Sequence, residues 1–253
     1  MRLTVVGWSG SYPGPESPCS CYLVEAEHEG RTWRILLDLG SGALGALHRY
    51  VDPLTIDAVL LSHLHPDHCF DISGYYVMRK YHPDVRAPRI PVYGPKGTGK
   101  RMAKAYGLPE KPGMNEEFDF RGYDAAGPVR VGPFSVVVTQ VDHPVTAYAL
   151  RISDGDTTLV YTGDTGPCDA LTSLAKGADL LLAEASFLTD GENPPNLHLT
   201  GRDAAETAAA AGVGMLVLTH IPPWHDPQQV FAEARPAYDG RLELARTGAV
   251  FDL

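Results

Sequence analysis

Short apolar runs bounded by polar or turn residues recur along the whole chain, at 3–6, 22–25, 35–37, 58–61, 90–93, 134–141, 147–152, 158–161, 180–183 and 215–218. Runs of this length, rich in Val, Leu, Ile and Tyr, suit buried β-strands. Helical patterning fills gaps between them, at 43–50, 72–81, 99–106, 169–176, 201–211 and 227–238. The segment 201–211 carries its own start and stop signals, with Thr200 as N-cap, an Ala-rich body and Gly212 to close it. Strands dominate the first half, and strand and helix alternate in the second. Sheets that are apolar on both faces need helices on both sides, so the expected class is α/β, an αβ/βα layered sandwich.

Composition narrows the picture without changing it. At 253 residues, 44% hydrophobic and 21% charged, the chain can bury a sizeable core and is neither a disordered tail nor a small disulfide scaffold. No repeat or linker divides it, and residues 1–253 are expected to form a single domain. No apolar run approaches the roughly 20 residues of a membrane helix, and the opening MRLTVVGWSG reads as a strand entering a turn. A cytoplasmic protein without a membrane partner is therefore expected. The net charge of −10 opposes non-specific binding to phosphate backbones. Cys19, Cys21, Cys69 and Cys168 lack the spacing of a zinc ribbon and read as small buried or half-buried thiols.

The candidate chemistry collects where the apolar runs stop. AVLLS leads to His63, VVVTQVD to His143, TLVYTG to Asp164, LLLA to Glu184 and MLVLT to His220. In open α/β sheets the functional crevice lies at the carboxyl ends of the strands, so these five groups are expected along one edge. HLHPDH is the densest segment, with His63, His65, Asp67 and His68. His63 and His65 alternate so as to offer two imidazoles to one metal, and the turn at Pro66 redirects Asp67 and His68 towards a second. Imidazole and carboxylate without thiolate suit a catalytic divalent site, zinc first, with manganese or iron as alternatives.

HLHPDH, followed by His143, by Asp164 in GDT and by His220 in LTH, resembles the metallo-β-lactamase-fold hydrolases over essentially the whole chain. The resemblance implies a four-layer αβ/βα sandwich of two mixed β-sheets flanked by helices. It also implies two divalent ions, one on His63, His65 and His143, the other on Asp67, His68 and His220, with Asp164 bridging. Asp38 in LLDLGSG corresponds to an aspartate that braces the histidine loop. LLAEASF followed by PPNLHLT is similar to the RNase Z branch, in which a Glu orients a His used on phosphodiesters; here these are Glu184 and His198.

Only twenty residues separate His143 from Asp164, too few for the long arm with which RNase Z enzymes grip tRNA. The opening segment, HLT and HIPPWHDP are similar to a short actinobacterial-type branch of cyclic-nucleotide phosphodiesterases. GPKGTGKR satisfies G-x-x-x-x-G-K, but Arg101 stands where a P-loop needs Ser or Thr, so an NTPase is rejected. Lys96, Lys100, Arg101 and Lys104 remain candidates for guiding an anion. His225 is a candidate substrate contact, whereas His28, His48 and His82 read as surface residues. The expected function is hydrolysis of a small phosphodiester, first a cyclic nucleotide, with Asp67, Glu184 and His198 as the catalytic group. RNA 3′-end cleavage, thioester or lactone hydrolysis, and a metal-loaded binding protein are the alternatives, and the RNase Z resemblance implies a possible homodimer.

Overall fold

The computed structural model describes residues 1–84, 86–123 and 127–253. The first sheet is built from β1 (Arg2–Gly7), β2 (Cys21–His28), β3 (Arg31–Leu37), β4 (Ala58–Leu60), β5 (Ile90–Gly94), β6 (Phe118–Gly122) and β14 (Val250–Asp252), in the order β14-β1-β2-β3-β4-β5-β6. The second contains β7 (Val129–Val131), β8 (Phe134–Val141), β9 (Ala147–Ser153), β10 (Thr158–Tyr161), β11 (Leu180–Glu184), β12 (Met215–Thr219) and β13 (Arg241–Leu244), in the order β13-β12-β11-β10-β9-β8-β7. Each mixes parallel and antiparallel pairs.

The sheets pack face to face through Leu3, Val5, Ile35 and Leu60 on one side and Val136, Ile152, Leu182 and Val217 on the other. The outer face of the first sheet is covered by α1 (Ala43–Leu47), α3 (Ile72–Tyr81) and α4 (Thr98–Tyr106), with Val59, Leu61, Ile72, Tyr75 and Met102 buried between. The outer face of the second carries α5 (Asp169–Ala175), α6 (Gly201–Ala211) and α7 (Pro227–Ala234), packed through Leu171, Ala204, Ala208 and Val230 onto Leu181 and Leu216. This is the four-layer sandwich expected for two sheets that are apolar on both faces.

Strand direction then decides where chemistry can gather. β1, β3, β4 and β5 run the same way, because β2 reverses once and β3, β4 and β5 pair in parallel. β8, β10, β11 and β12 likewise share a direction. The carboxyl ends of β3, β4, β8, β10, β11 and β12 deliver the residues described below to one rim.

The strands that the apolar pattern did not predict are β6, β7, β13 and β14, and they are the four sheet edges. Their sequences FDFRG, VRV, RLEL and VFD are short and charged, as edges that resist further pairing tend to be, which also hides them from a search for apolar runs. The helix expected at 43–50 stops at Leu47. The helix expected to reach 238 ends at Ala234 and tightens into a 3-10 turn over Arg235–Ala237, where Pro236 cannot donate an i to i−4 bond. Among the described residues no helix is long and apolar enough to cross a membrane.

Candidate metal centre

After β4 the chain bends at Ser62 and runs on through His63 and Leu64 to His65, whose ψ of 150° directly precedes Pro66, the first residue of the short helix α2 (Pro66–Cys69). Proline is well suited to a first helical position, and it sets the switch from the loop carrying His63 and His65 to a helical turn carrying Asp67 and His68. Gly40 lets this turn settle, since a Cβ there would lie 1.9 Å from the Asp67 carbonyl.

Two groups of ligand atoms result. His63 Nε2 lies 3.0 Å from His65 Nδ1, which is 3.3 Å from His143 Nε2, and Asp164 Oδ2 is 3.6 Å from His63 Nε2. On the other side His68 Nε2 lies 3.0 Å from His220 Nε2, Asp67 Oδ2 is 3.1 Å from His220 Nε2, and Asp164 Oδ1 is 3.1 Å from His68 Nε2. Asp164 thus turns one oxygen to each group. Its Oδ1 is buried and, although it faces His68 Nε2 at 3.1 Å and His220 Nε2 at 3.5 Å, makes no well-aligned hydrogen bond, an arrangement suited to meeting a cation. The converging atoms are imidazole nitrogens and carboxylate oxygens, so both groups could hold a divalent ion.

The far sides of these ligands are braced. Asp38, fully buried, accepts from Ser62 N at 2.6 Å, and its Oδ2 accepts from Ser62 Oγ, His68 Nδ1 and Tyr161 Oη, each at 2.7 Å. With its hydrogen given to Asp38, Ser62 Oγ accepts from His63 Nδ1 at 3.1 Å, leaving Nε2 free to face the centre. His143 Nδ1 donates to the Leu197 carbonyl at 2.9 Å, and His220 Nδ1 donates to Ser186 Oγ at 2.7 Å. Asp38 and His220 hold positive φ angles of 58° and 53°, backbone strain concentrated where the side chains must be aimed. Replacing Asp38 by Ala should leave several buried donors without an acceptor. A 10- to 100-fold weaker metal affinity is expected, roughly the cost of losing such a brace, together with a lower melting temperature, measured by metal titration and thermal unfolding.

Burial lowers the imidazoles of His63, His65 and His143, favouring the neutral form that binds cations. Burial also opposes charge on His68, but Asp164, Asp67 and Asp38 outweigh it and hold its proton well above the ordinary range. A cation binding there must displace that proton.

Beside the two groups, His198 Nδ1 lies 2.8 Å from Glu184 Oε1. Glu184 is fully buried, and its oxygens also accept from Thr165 N at 2.9 Å and Ser186 N at 3.1 Å. Glu184, His198 and His220 also converge closely enough to hold an ion. With both Glu184 oxygens already occupied, however, the geometry is that of an oriented histidine. Burial pulls His198 down, but the Glu184 carboxylate prevails and it is pushed up to about 9. Its Nε2 has no partner among the described residues, so it is the nitrogen left for a ligand. Thr200 and Asp203 form a capping box at the start of α6, fixing the chain two residues beyond His198.

The lysine-rich loop lies at the edge of the centre. A cavity of about 220 Å³ is lined by Leu64, His65, Pro95, Lys96, Arg101, Val145 and Thr146. Lys104 lines a neighbouring groove with Arg101, while Lys100 is paired with Glu110 at 3.0 Å. Thr98 Oγ1 donates to the Pro95 carbonyl, so the G-x-x-x-x-G-K segment closes on itself as a turn. His28 and His48 are exposed and His82 half-buried, all outside the cluster, whereas His225 stands against Trp224. Cys19, Cys21 and Cys69 are buried and Cys168 half-buried. Ser62, Tyr161, Ser186 and Ser11 were not anticipated. Ser62 adjoins His63 and Ser186 lies two residues after Glu184, but nothing local marks Tyr161, 123 positions from its partner Asp38.

Fold and site together define a class: the chain belongs to the beta-lactamase superfamily, whose domain profile matches residues 33–221, and it is a metallo-hydrolase of the metallo-β-lactamase fold. Over its whole length it is 44% identical to an uncharacterized protein of Mycobacterium leprae, spanning 89% of that protein. The metallo-β-lactamase fold protein YhfI from Bacillus subtilis is 31% identical, and its crystal structure matches with a TM-score of 0.87 over 99% of each chain. Ribonuclease Z of Myxococcus xanthus is 29% identical across all of this chain and 98% of its own, in keeping with an RNase Z-like branch.

Proposed function

We propose that this protein is a dinuclear phosphodiesterase of small substrates, with a cyclic nucleotide as the favoured one and zinc as the favoured metal. The observation that carries the reading is Asp164 standing between two complete ligand groups, next to a histidine held by a buried glutamate. His63, His65 and His143 with Asp164 Oδ2 would hold one ion, and Asp67, His68 and His220 with Asp164 Oδ1 the other. Divalent cations bound there would supply Lewis-acid stabilisation of the phosphoryl oxygens and would lower the pKa of water towards about 7.

The remaining work belongs to the chain. Asp67 has Oδ2 fixed by the Ser11 amide at 2.9 Å, which positions its carboxylate to orient the attacking water and take its proton. His198 keeps one proton on Nδ1 against Glu184 and presents Nε2 to the phosphoryl oxygen or to the departing alkoxide. Burial of His63, His68 and Asp164 keeps solvent from screening these interactions. Lys96 and Arg101, exposed at the adjoining cavity, would draw an anionic substrate to a chain whose net charge is −10.

The short link between His143 and Asp164 favours a small substrate. It is spent on β9, β10 and their turns, with no protruding arm in that stretch. The similarity to Ribonuclease Z supports RNA cleavage as the alternative. Assays on 3′,5′-cyclic AMP, a tRNA precursor, a thioester and a lactone, with metal stoichiometry measured alongside, decide between them. The expected result is two ions per chain and far faster hydrolysis of the cyclic nucleotide; preferential cleavage of the tRNA precursor, or of the thioester, would overturn it.

A further inference from the structure

Beside the centre, two aromatic side chains are left open to solvent. Tyr12 is 46% exposed and Trp224 59%, among the most exposed large apolar groups of the described residues. Their ring centroids are 5.5 Å apart with planes inclined by 35°. Burying such rings would be favourable, so a pair kept in water points to a ligand. The indole Nε1 already donates to His225 Nε2 at 3.1 Å, which leaves Trp224 offering a π-face rather than a hydrogen bond.

The loops carrying this pair are bolted to the centre and to each other. The Ser11 amide donates to Asp67 Oδ2, so covalent geometry keeps the Tyr12 Cα within roughly 8 Å of that oxygen. Ser11 reaches this position with a φ of 65°. Gly10 N donates to the Ile221 carbonyl at 3.2 Å, and a Cβ on Gly10 would stand 2.4 Å from the His220 carbonyl, so the two loops lie backbone to backbone. Trp224 follows His220 by four residues, with the His225 amide donating to the Pro222 carbonyl at 3.0 Å to fix the turn.

We propose that Trp224 and Tyr12 form a stacking platform for the nucleobase of a nucleotide substrate whose phosphodiester sits between the two ligand groups. The proposal rests on the phosphodiesterase reading and adds the part of the substrate that reading leaves open. Stacking accepts any base because each has a π-face, so the platform selects nucleotides over base-free phosphodiesters and discriminates weakly between adenine and guanine. The anionic and the aromatic ends of one small molecule are thereby met by different loops.

The test compares 3′,5′-cyclic AMP with the base-free methyl riboside 3′,5′-cyclic phosphate, in wild-type protein, Trp224→Ala and Trp224→Phe. Base–aromatic stacking contributes enough that the wild-type preference in kcat/KM for the nucleotide should fall about tenfold in Trp224→Ala, mainly through KM, and be retained in Trp224→Phe. Adenosine monophosphate should quench the tryptophan fluorescence of the wild type, and Trp224→Phe should lose most of that quenching. An unchanged preference in Trp224→Ala, or quenching that survives the loss of Trp224, would overturn the platform. So would a preference that stays constant while Trp224→Ala changes the sedimentation coefficient, which would give the patch to a second copy of the chain. If the wild type hydrolyses neither compound, the phosphodiesterase reading falls, while the fluorescence titration still decides whether a base stacks here.

Discussion

Asp164→Ala should empty both halves of the centre at once. Each ligand group loses the oxygen that closes it, and His68 loses one of the carboxylates that face it, Asp164 Oδ1 at 3.1 Å. On the dinuclear reading proposed above, metal content should fall from two ions per chain towards none, with hydrolysis down at least about 10³-fold, because several kcal/mol of transition-state stabilisation would go with the metals. Loss of only one ion, measured by elemental analysis of the purified variant, would mean that Asp164 serves a single group. By contrast, changing His65 alone should damage chiefly the group it shares with His63 and His143. Comparing the two variants separates the bridge from an ordinary ligand.

His198→Ala should give the opposite pattern. His198 Nδ1 is engaged by Glu184 and its Nε2 is free, so removing the ring is expected to leave both ions in place while turnover of phosphodiesters falls on the order of 10² to 10⁴-fold, the usual worth of a positioned proton donor. Most of the loss should appear in kcat. Glu184→Gln should reproduce part of it, since the amide keeps the shape but no longer stabilises a charged imidazole. Full turnover in His198→Ala would remove the case that sets phosphodiester chemistry above thioester or lactone hydrolysis. A drop in metal content instead would mean that His198 belongs to the third possible grouping, with Glu184 and His220.

Much of this was readable along the chain, for a local reason. HLHPDH places four donors within six residues, and a strand followed by a proline-started turn has few ways to display them. The interior strands were legible because burial on both faces demands continuous apolar runs. The four edge strands were not, because an edge is short and charged where a centre is apolar. Within the site, Asp164 and His220 could be suspected from their places at strand ends. That Asp164 bridges the two groups was implied by the family resemblance and not by any local pattern, because the orientation of its two oxygens comes from β10 packing between β9 and β11. Ser62 and Tyr161 escaped notice because a hydroxyl becomes a brace only through what it faces. The pairing of Tyr12 with Trp224 joins opposite ends of the sequence, through loops that meet only when the two sheets are stacked.

The amino-acid order by itself determined the layer architecture and the inventory of chemistry: where apolar runs end, which imidazoles and carboxylates follow them, and how short the link after His143 is. Those are properties of neighbouring residues, governed by periodicity and turn stereochemistry. Tertiary structure decided which atoms meet. Stacking two sheets with their carboxyl ends at a common rim brings residues 152 positions apart, His68 and His220, to 3.0 Å. It also leaves one carboxylate oxygen buried without a well-aligned hydrogen bond and an aromatic pair open beside the centre, because distances across a fold depend on strand order and sheet packing, which no local pattern encodes.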